Sequence, residues 1–191
     1  CIRDSISVST SVHRPQQIHS GLVLEADQAC GAPWPEADGL VSSRGGQSLW
    51  VCGADCTPVL IADPLTGHTA ACHAGWRGVA ARILPSAVEQ LEARGARRKD
   101  LVVALGPAVS GARYQVGDDV VTAIAASFGS ISDGRTALVE AGAVQVDPEP
   151  DRYKFDLRLA TVLQLKDSGL NPANISSCPL CTASEPELFH S

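Results

Sequence analysis

Two short apolar runs, Val59-Leu60-Ile61-Ala62 and Thr69-Ala70-Ala71-Cys72, flank the polar break Asp63-Pro64-Leu65-Thr66-Gly67. Runs of that length around a Pro and a Gly predict two buried strands joined by a tight turn. Leu49 to Cys52 and Leu101 to Leu105 predict further core strands. Between Val79 and Arg94 the apolar positions Val79, Ile83, Val88 and Leu91 follow a helical spacing that Gly95 ends, with Pro85 kinking the helix or starting a new turn. Two more helices are predicted over 118–126, with Val120, Val121 and Ile124 on one side, and over 156–167, with Leu157, Leu159, Ala160 and Leu163. Residues 131–151, rich in Gly, Asp and Pro, predict an irregular excursion. Hairpins mixed with helices argue for an α+β fold over a strictly alternating parallel sheet.

Composition narrows the picture. The 191 residues contain no Pro/Gly/Ser-rich linker, charge block or repeat, so residues 1–191 are expected to form a single domain. No apolar run approaches the ~20 residues of a membrane helix, and no secretory signal opens the chain, so a soluble cytoplasmic protein is expected. The chain has no Met and begins with Cys1, so its native start is expected to be missing. A net charge of -6, with Lys only at Lys99, Lys154 and Lys166, leaves no basic stripe for nucleic acid. Seven Cys, an odd number without the dense spacing of a disulfide scaffold, point to free thiols in a reducing compartment.

The candidate chemistry lies at the open end of the predicted hairpin, where folding brings Cys56 and His73 together. A thiol and an imidazole there are either half of a zinc site or a Cys-His nucleophile pair. His19, in the polar stretch Gln16-Gln17-Ile18-His19-Ser20, gains weight only beside them, because two imidazoles and a thiolate leave a tetrahedral zinc one open position. Three such ligand atoms on one ion stand roughly 3.2 to 4.0 Å apart. The long separations match no zinc-finger spacing and establish nothing alone. Asp55 is a candidate general base or orienter of Cys56, unless strand alternation turns it away. The glycines flanking Trp76-Arg77 place Arg77 near a helix start, where a guanidinium suits phosphate or carboxylate; its bland alternative is a pairing with a surface acid. Cys178-Pro179-Leu180-Cys181 is a lone CxxC and reads as unbridged structural thiols.

Gln17-Ile18-His19, Glu36-Ala37-Asp38-Gly39-Leu40-Val41, Ala54-Asp55-Cys56-Thr57-Pro58, His73-Ala74-Gly75-Trp76-Arg77-Gly78, Gly106-Pro107-Ala108 and Tyr114-Gln115-Val116-Gly117 occur in the order seen in the laccase-domain family. The chain resembles that family from about Gln17 to its last residues. First described as multicopper polyphenol oxidases, its members are now described as purine nucleoside phosphorylases. The resemblance implies two packed mixed β-sheets flanked by helices on both outer faces, an αββα sandwich. It also implies a zinc held by His19, Cys56 and His73, and phosphorolysis of adenosine, inosine, guanosine and methylthioadenosine with deamination of adenosine. The expected partners are small molecules, nucleoside and phosphate, with a monomer expected and neither nucleic acid nor membrane involved. Five His in the whole chain are too few for the roughly ten ligands of a multicopper centre, and a Cys/His₂ set suits zinc better.

The chain departs from the family pattern at Ser20, where Gly is usual, at Ala112-Arg113, where a Cys pair is often found, and at Leu188-Phe189-His190-Ser191, where members continue into Tyr-Arg-Arg. The C-terminus is therefore expected to be incomplete. Two rival readings stay open: a metal-free hydrolase of a peptidoglycan precursor, with Cys56 as nucleophile and His73 as base, and a non-catalytic metal-binding protein.

Overall fold

A computed structural model describes residues 11–191 of the chain. Its centre is a six-stranded mixed sheet in the order β11-β7-β5-β6-β3-β2, formed by β2 (Val23–Glu25), β3 (Gly39–Ser42), β5 (Thr57–Ala62), β6 (Thr69–Ala74), β7 (Val102–Leu105) and β11 (Ile175–Ser177). A two-stranded parallel sheet pairs β1 (Ser11–His13) with β4 (Gln47–Leu49). An antiparallel three-stranded sheet orders β8 (Gln115–Gly117), β10 (Arg152–Phe155) and β9 (Val144–Val146) as β8-β10-β9. Among the described residues five helices pack around them: α1 (Trp76–Ala80), α2 (Ile83–Glu92), α3 (Asp118–Ala125), α4 (Ile131–Glu140) and α5 (Leu157–Asp167). The expected α+β class, with more than one sheet and helices packed outside, is the one the chain adopts.

The β5–β6 hairpin forms as the apolar runs require, antiparallel from Thr57↔Ala74 to Ala62↔Thr69. Its break is closed by Asp63, which accepts from Leu65 N at 2.9 Å and Thr66 Oγ1 at 2.9 Å, and by Gly67 at φ 76°. Alternation along these strands separates two faces. Val59, Ile61, Ala70, Cys72 and Ala74 enter the main core with Val79, Leu84, Val88 and Leu91 from α1 and α2. Pro58, Leu60, Ala71 and His73 take the opposite face, where Leu60 and, on β7, Val102 are exposed. On the β6–β3 side both faces are buried, by α2 on one and by β4 and the 26–29 turn on the other.

The predicted 79–94 helix is two helices. Arg82, at φ 60°, breaks the chain between α1 and α2. Pro85 then sits in the first turn of α2, where a missing N–H removes no intrahelical bond, so it does not kink the helix.

The irregular excursion expected over 131–151 is overturned, because that stretch contains α4 and β9. Ser130 caps α4 by accepting from Asp133 N at 3.1 Å. Gly134, which weakens the helical reading in sequence, is there for packing: a Cβ on it would stand 2.0 Å from Ala125 O of the neighbouring helix α3. The predicted strand over Leu49–Cys52 also shifts, with β4 at Gln47–Leu49 and Trp50–Cys52 leaving the strand.

Candidate metal centre

The hairpin register builds the centre. One residue beyond the Thr57↔Ala74 pair, Cys56 comes opposite Gly75, and His73 is its diagonal neighbour on the same face. His73 thus lies inside β6, and only Cys56 falls just outside its strand as expected. Gly75 keeps the approach open. A Cβ at that position would stand 3.0 Å from Cys56 Sγ and 3.2 Å from His19 Cδ2, so a side chain there would crowd both groups where they approach.

His19 arrives from the segment joining β1 to β2, in the left-handed conformation at φ 60°. Its ring meets that of His73 edge to face, with centroids 4.9 Å apart. One ligand atom from each of His19, Cys56 and His73 lies within 4.8 Å of the other two. That is somewhat wider than the spread around a bound zinc, within the reach of small side-chain rotations. The donor set fits a borderline-soft divalent ion: one sulfur, two imidazole nitrogens and an exposed side at His19. Burial, followed by the nearby carboxylates of Asp55 and Asp38, pushes the Cys56 thiol above its ordinary range. A cation against Sγ is the group that would reverse that preference.

The residue that sequence reasoning left without a role is Asp38. Its side chain is fully buried, and its backbone carbonyl accepts from His73 N at 2.7 Å. Oδ1 accepts from His73 Nδ1 at 2.8 Å and from His19 N at 3.0 Å. Oδ2 accepts from Ser20 N at 2.6 Å, Ser20 Oγ at 2.8 Å and Ile18 N at 3.3 Å. Burial alone would raise the Asp38 pKa, but the bonds from His73, Ser20 and His19 outweigh it and hold the carboxyl below its usual range. One carboxylate therefore fixes the left-handed segment carrying His19 and engages Nδ1 of His73, leaving Nε2 as the nitrogen available to a metal. Its signal in sequence was a lone Asp in an otherwise apolar stretch, Ala37-Asp38-Gly39-Leu40-Val41, about to enter a buried strand.

Asp55 lies outside the three-atom cluster. Its carboxylate accepts from Thr182 Oγ1 at 2.6 Å and Ser191 Oγ at 3.1 Å, tying the C-terminal segment to the loop before Cys56. Arg77 stacks its guanidinium over Trp76, 4.4 Å from the ring centroid, and among the described residues no carboxylate forms an ion pair with it. Tyr114 is within electrostatic reach of the same groups: burial and then Cys56 push its phenol up, while Arg77 pulls it down. Cys178 and Cys181 run alongside residues 105–108, through Cys178 N to Leu105 O at 2.9 Å and the Ala108↔Cys181 bridge, and both are free thiols. The CxxC is thus a continuation of β11 rather than a ligand-bearing turn.

The family of multi-copper polyphenol oxidoreductase laccases matches residues 2–191, and the chain belongs to it. A protein from Synechocystis sp. named purine nucleoside phosphorylase is 38% identical over 193 residues, covering 93% of this chain and 73% of its own length. One of the same name from Bacillus subtilis is 35% identical, covering 81% of this chain and 52% of its own. The chain thus spans between half and three-quarters of the length of these curated relatives. Among solved structures, a Neisseria meningitidis protein superposes with a TM-score of 0.81 at 31% identity, covering all of this chain and 71% of its own. YlmD from Geobacillus stearothermophilus gives 0.80 at 29% identity, over 95% of this chain and 67% of its own. Among the described residues no helix is long and apolar enough to cross a membrane.

Proposed function

We propose that the chain is a zinc-dependent purine nucleoside phosphorylase that also deaminates adenosine, acting on adenosine, inosine, guanosine and methylthioadenosine. The observation that carries this reading is the gathering of one ligand atom each from His19, Cys56 and His73 within 4.8 Å of one another. The names of the Synechocystis and Bacillus relatives support the same reaction class.

His19, Cys56 and His73 would hold the ion, which when bound supplies Lewis-acid charge beside the substrate. Asp38 keeps the proton on His73 Nδ1, so that the imidazole presents Nε2 in one orientation. Arg77, with five N–H donors and, among the described residues, no carboxylate ion pair, binds phosphate next to the ribose. Tyr114 keeps its phenolic proton through neutral pH and is a donor for phosphate or the departing base. Asp55 acts as an orienter, through the bond that links Thr182 to the loop carrying Cys56. The rival thiol hydrolase would need Cys56 as a thiolate without a cation, which burial and two carboxylates oppose.

The test is chromatography of adenosine incubations with and without phosphate. Adenine should form only with phosphate, and inosine should form in both. Arg77→Ala should raise KM for phosphate roughly tenfold to a hundredfold, the loss of one charge-assisted contact, with KM for nucleoside nearly unchanged. Arg77→Lys should recover part of it, because an ammonium keeps the charge and loses the planar fork. Phosphate-independent product alone, at one zinc per chain, would refute the phosphorylase reading.

A further inference from the structure

Of the three candidate ligands, His19 is the one that strand register does not place. Cys56 and His73 follow from the β5–β6 pairing, whereas His19 is exposed on the connection between β1 and β2, in the left-handed conformation at φ 60°. A residue with a side chain enters that region at a cost, so its surroundings must hold it there.

The surroundings act in two ways. Three successive backbone groups, Ile18 N, His19 N and Ser20 N, donate to the one carboxylate of Asp38. Ser20 adds its hydroxyl, which donates to Asp38 Oδ2 at 2.8 Å and accepts from Leu22 N at 3.2 Å. That oxygen links the carboxylate beneath the left-handed residue to the backbone that leaves the turn. The second hold is close packing against residues 75–81. A Cβ on Gly78 would stand 3.0 Å from Ser20 O, and a Cβ on Gly21 would stand 2.7 Å from Ala81 O. The segment thus lies backbone to backbone against the helix α1.

Any residue at position 20 except proline can supply the backbone donor, but the link to Leu22 N needs a hydroxyl. Position 20 is also where this chain departs from the usual Gly of its family. The two oxygens of Asp38 divide the work: His73 Nδ1 uses Oδ1, and both groups of Ser20 use Oδ2. Removing the hydroxyl therefore leaves the His73 contact in place and loosens the turn that carries His19.

We propose that Ser20 is a positioning residue for His19, its hydroxyl holding the left-handed turn so that the imidazole faces Cys56 and His73 before an ion arrives. A ligand already in place loses less freedom when it binds, which is how the hydroxyl raises affinity. The inference rests on the metal-binding part of the proposed function and not on its nucleoside chemistry.

Zinc itself is the probe, measured by chelator competition in wild type, Ser20→Ala, His19→Ala and the double variant. Ser20→Ala should weaken zinc binding about tenfold, the scale for losing an outer partner of a ligand. In the His19→Ala background the same substitution should change affinity by about twofold or less, because the side chain it positions is gone. Ser20→Thr keeps a hydroxyl and should restore most of the affinity. Cobalt(II) in place of zinc reports the ligand set: the visible spectrum of Ser20→Ala should shift towards that of His19→Ala, and that of Ser20→Thr should return to wild type. Ser20 is half-buried, so its truncation opens no core cavity; should Ser20→Ala fold poorly, Ser20→Gly carries the same test. A tenfold loss that persists without His19 overturns the proposal, since the hydroxyl would then act through Asp38 and His73. Unchanged affinity in Ser20→Ala overturns it as well, as does a wild-type chain that binds no zinc. A chain that shows the coupling yet releases no base from adenosine keeps Ser20 in this role and overturns the phosphorylase reading.

Discussion

At the scale of single residues, the most demanding position is Asp38, because five donors converge on its two oxygens in a fully buried setting. Replacing it with Asn keeps the size but turns one acceptor into an NH₂ donor. Both oxygens face N–H groups, so either amide orientation sets donor against donor and leaves a buried partner unsatisfied. Asp38→Asn should therefore cost ~2 to 4 kcal/mol of stability in urea titrations and weaken zinc binding roughly tenfold to a hundredfold in chelator competition. The pH dependence has a defined sign. The folded pKa of Asp38 is depressed, so its stabilising contribution is complete above the ordinary carboxyl value and is lost as pH falls through the folded one. In metal-free protein the stability gap between wild type and Asp38→Asn should be constant near neutrality and close below about pH 4. A gap that widened on acidification would show that the carboxylate is not held ionised by its donors.

At the scale of elements, the hairpin was legible because turn residues and apolar run length agreed, and α3 and α5 because their apolar positions kept a helical spacing. Asp156 caps α5 by accepting from Leu159 N at 3.1 Å, a signal present in the sequence. What escaped was set by contacts between distant segments. Gly134 argues against a helix in any local reading, yet α4 needs it to let Ala125 O of α3 approach. Asp38 escaped for the same reason, since its five donors come from residues 18–20 and 73, brought together only by the β3–β6 pairing. The register of β5 and β6, by contrast, was implicit in the turn, and with it the meeting of Cys56 and His73. A prediction at this scale follows from Gly134. Ala is the better helix former by about 1 kcal/mol, but a Cβ 2.0 Å from a backbone oxygen forces α3 and α4 apart. Gly134→Ala should thus lower stability by ~2 kcal/mol or more in urea unfolding, with zinc content unaffected. A stabilised variant would mean that the two helices do not pack as closely as described.

At the scale of the whole molecule, the candidate metal centre joins three regions of one chain: the β1–β2 connection at His19, the loop before β5 at Cys56, and β6 at His73. Asp38 on the approach to β3 supports two of them, and Asp55 binds the C-terminal segment to the same loop. An ion that holds these parts together binds the folded chain far better than the unfolded one, so it must stabilise the fold by mass action. At free zinc one hundred times above its dissociation constant the gain is about 2.7 kcal/mol. For a chain of this length each kcal/mol moves Tm by roughly 2 to 4 °C, so saturating zinc should raise Tm by about 5 to 10 °C, and a chelator should reverse the shift. Cys56→Ala should abolish the shift together with both activities, because the soft anionic ligand is gone. Cys178→Ala should keep shift and activity, since Cys178 follows β11 and is no part of the cluster. Zinc-dependent stabilisation that survived Cys56→Ala would place the ion elsewhere, and equal losses from the two substitutions would assign the thiolate to the wrong cysteine.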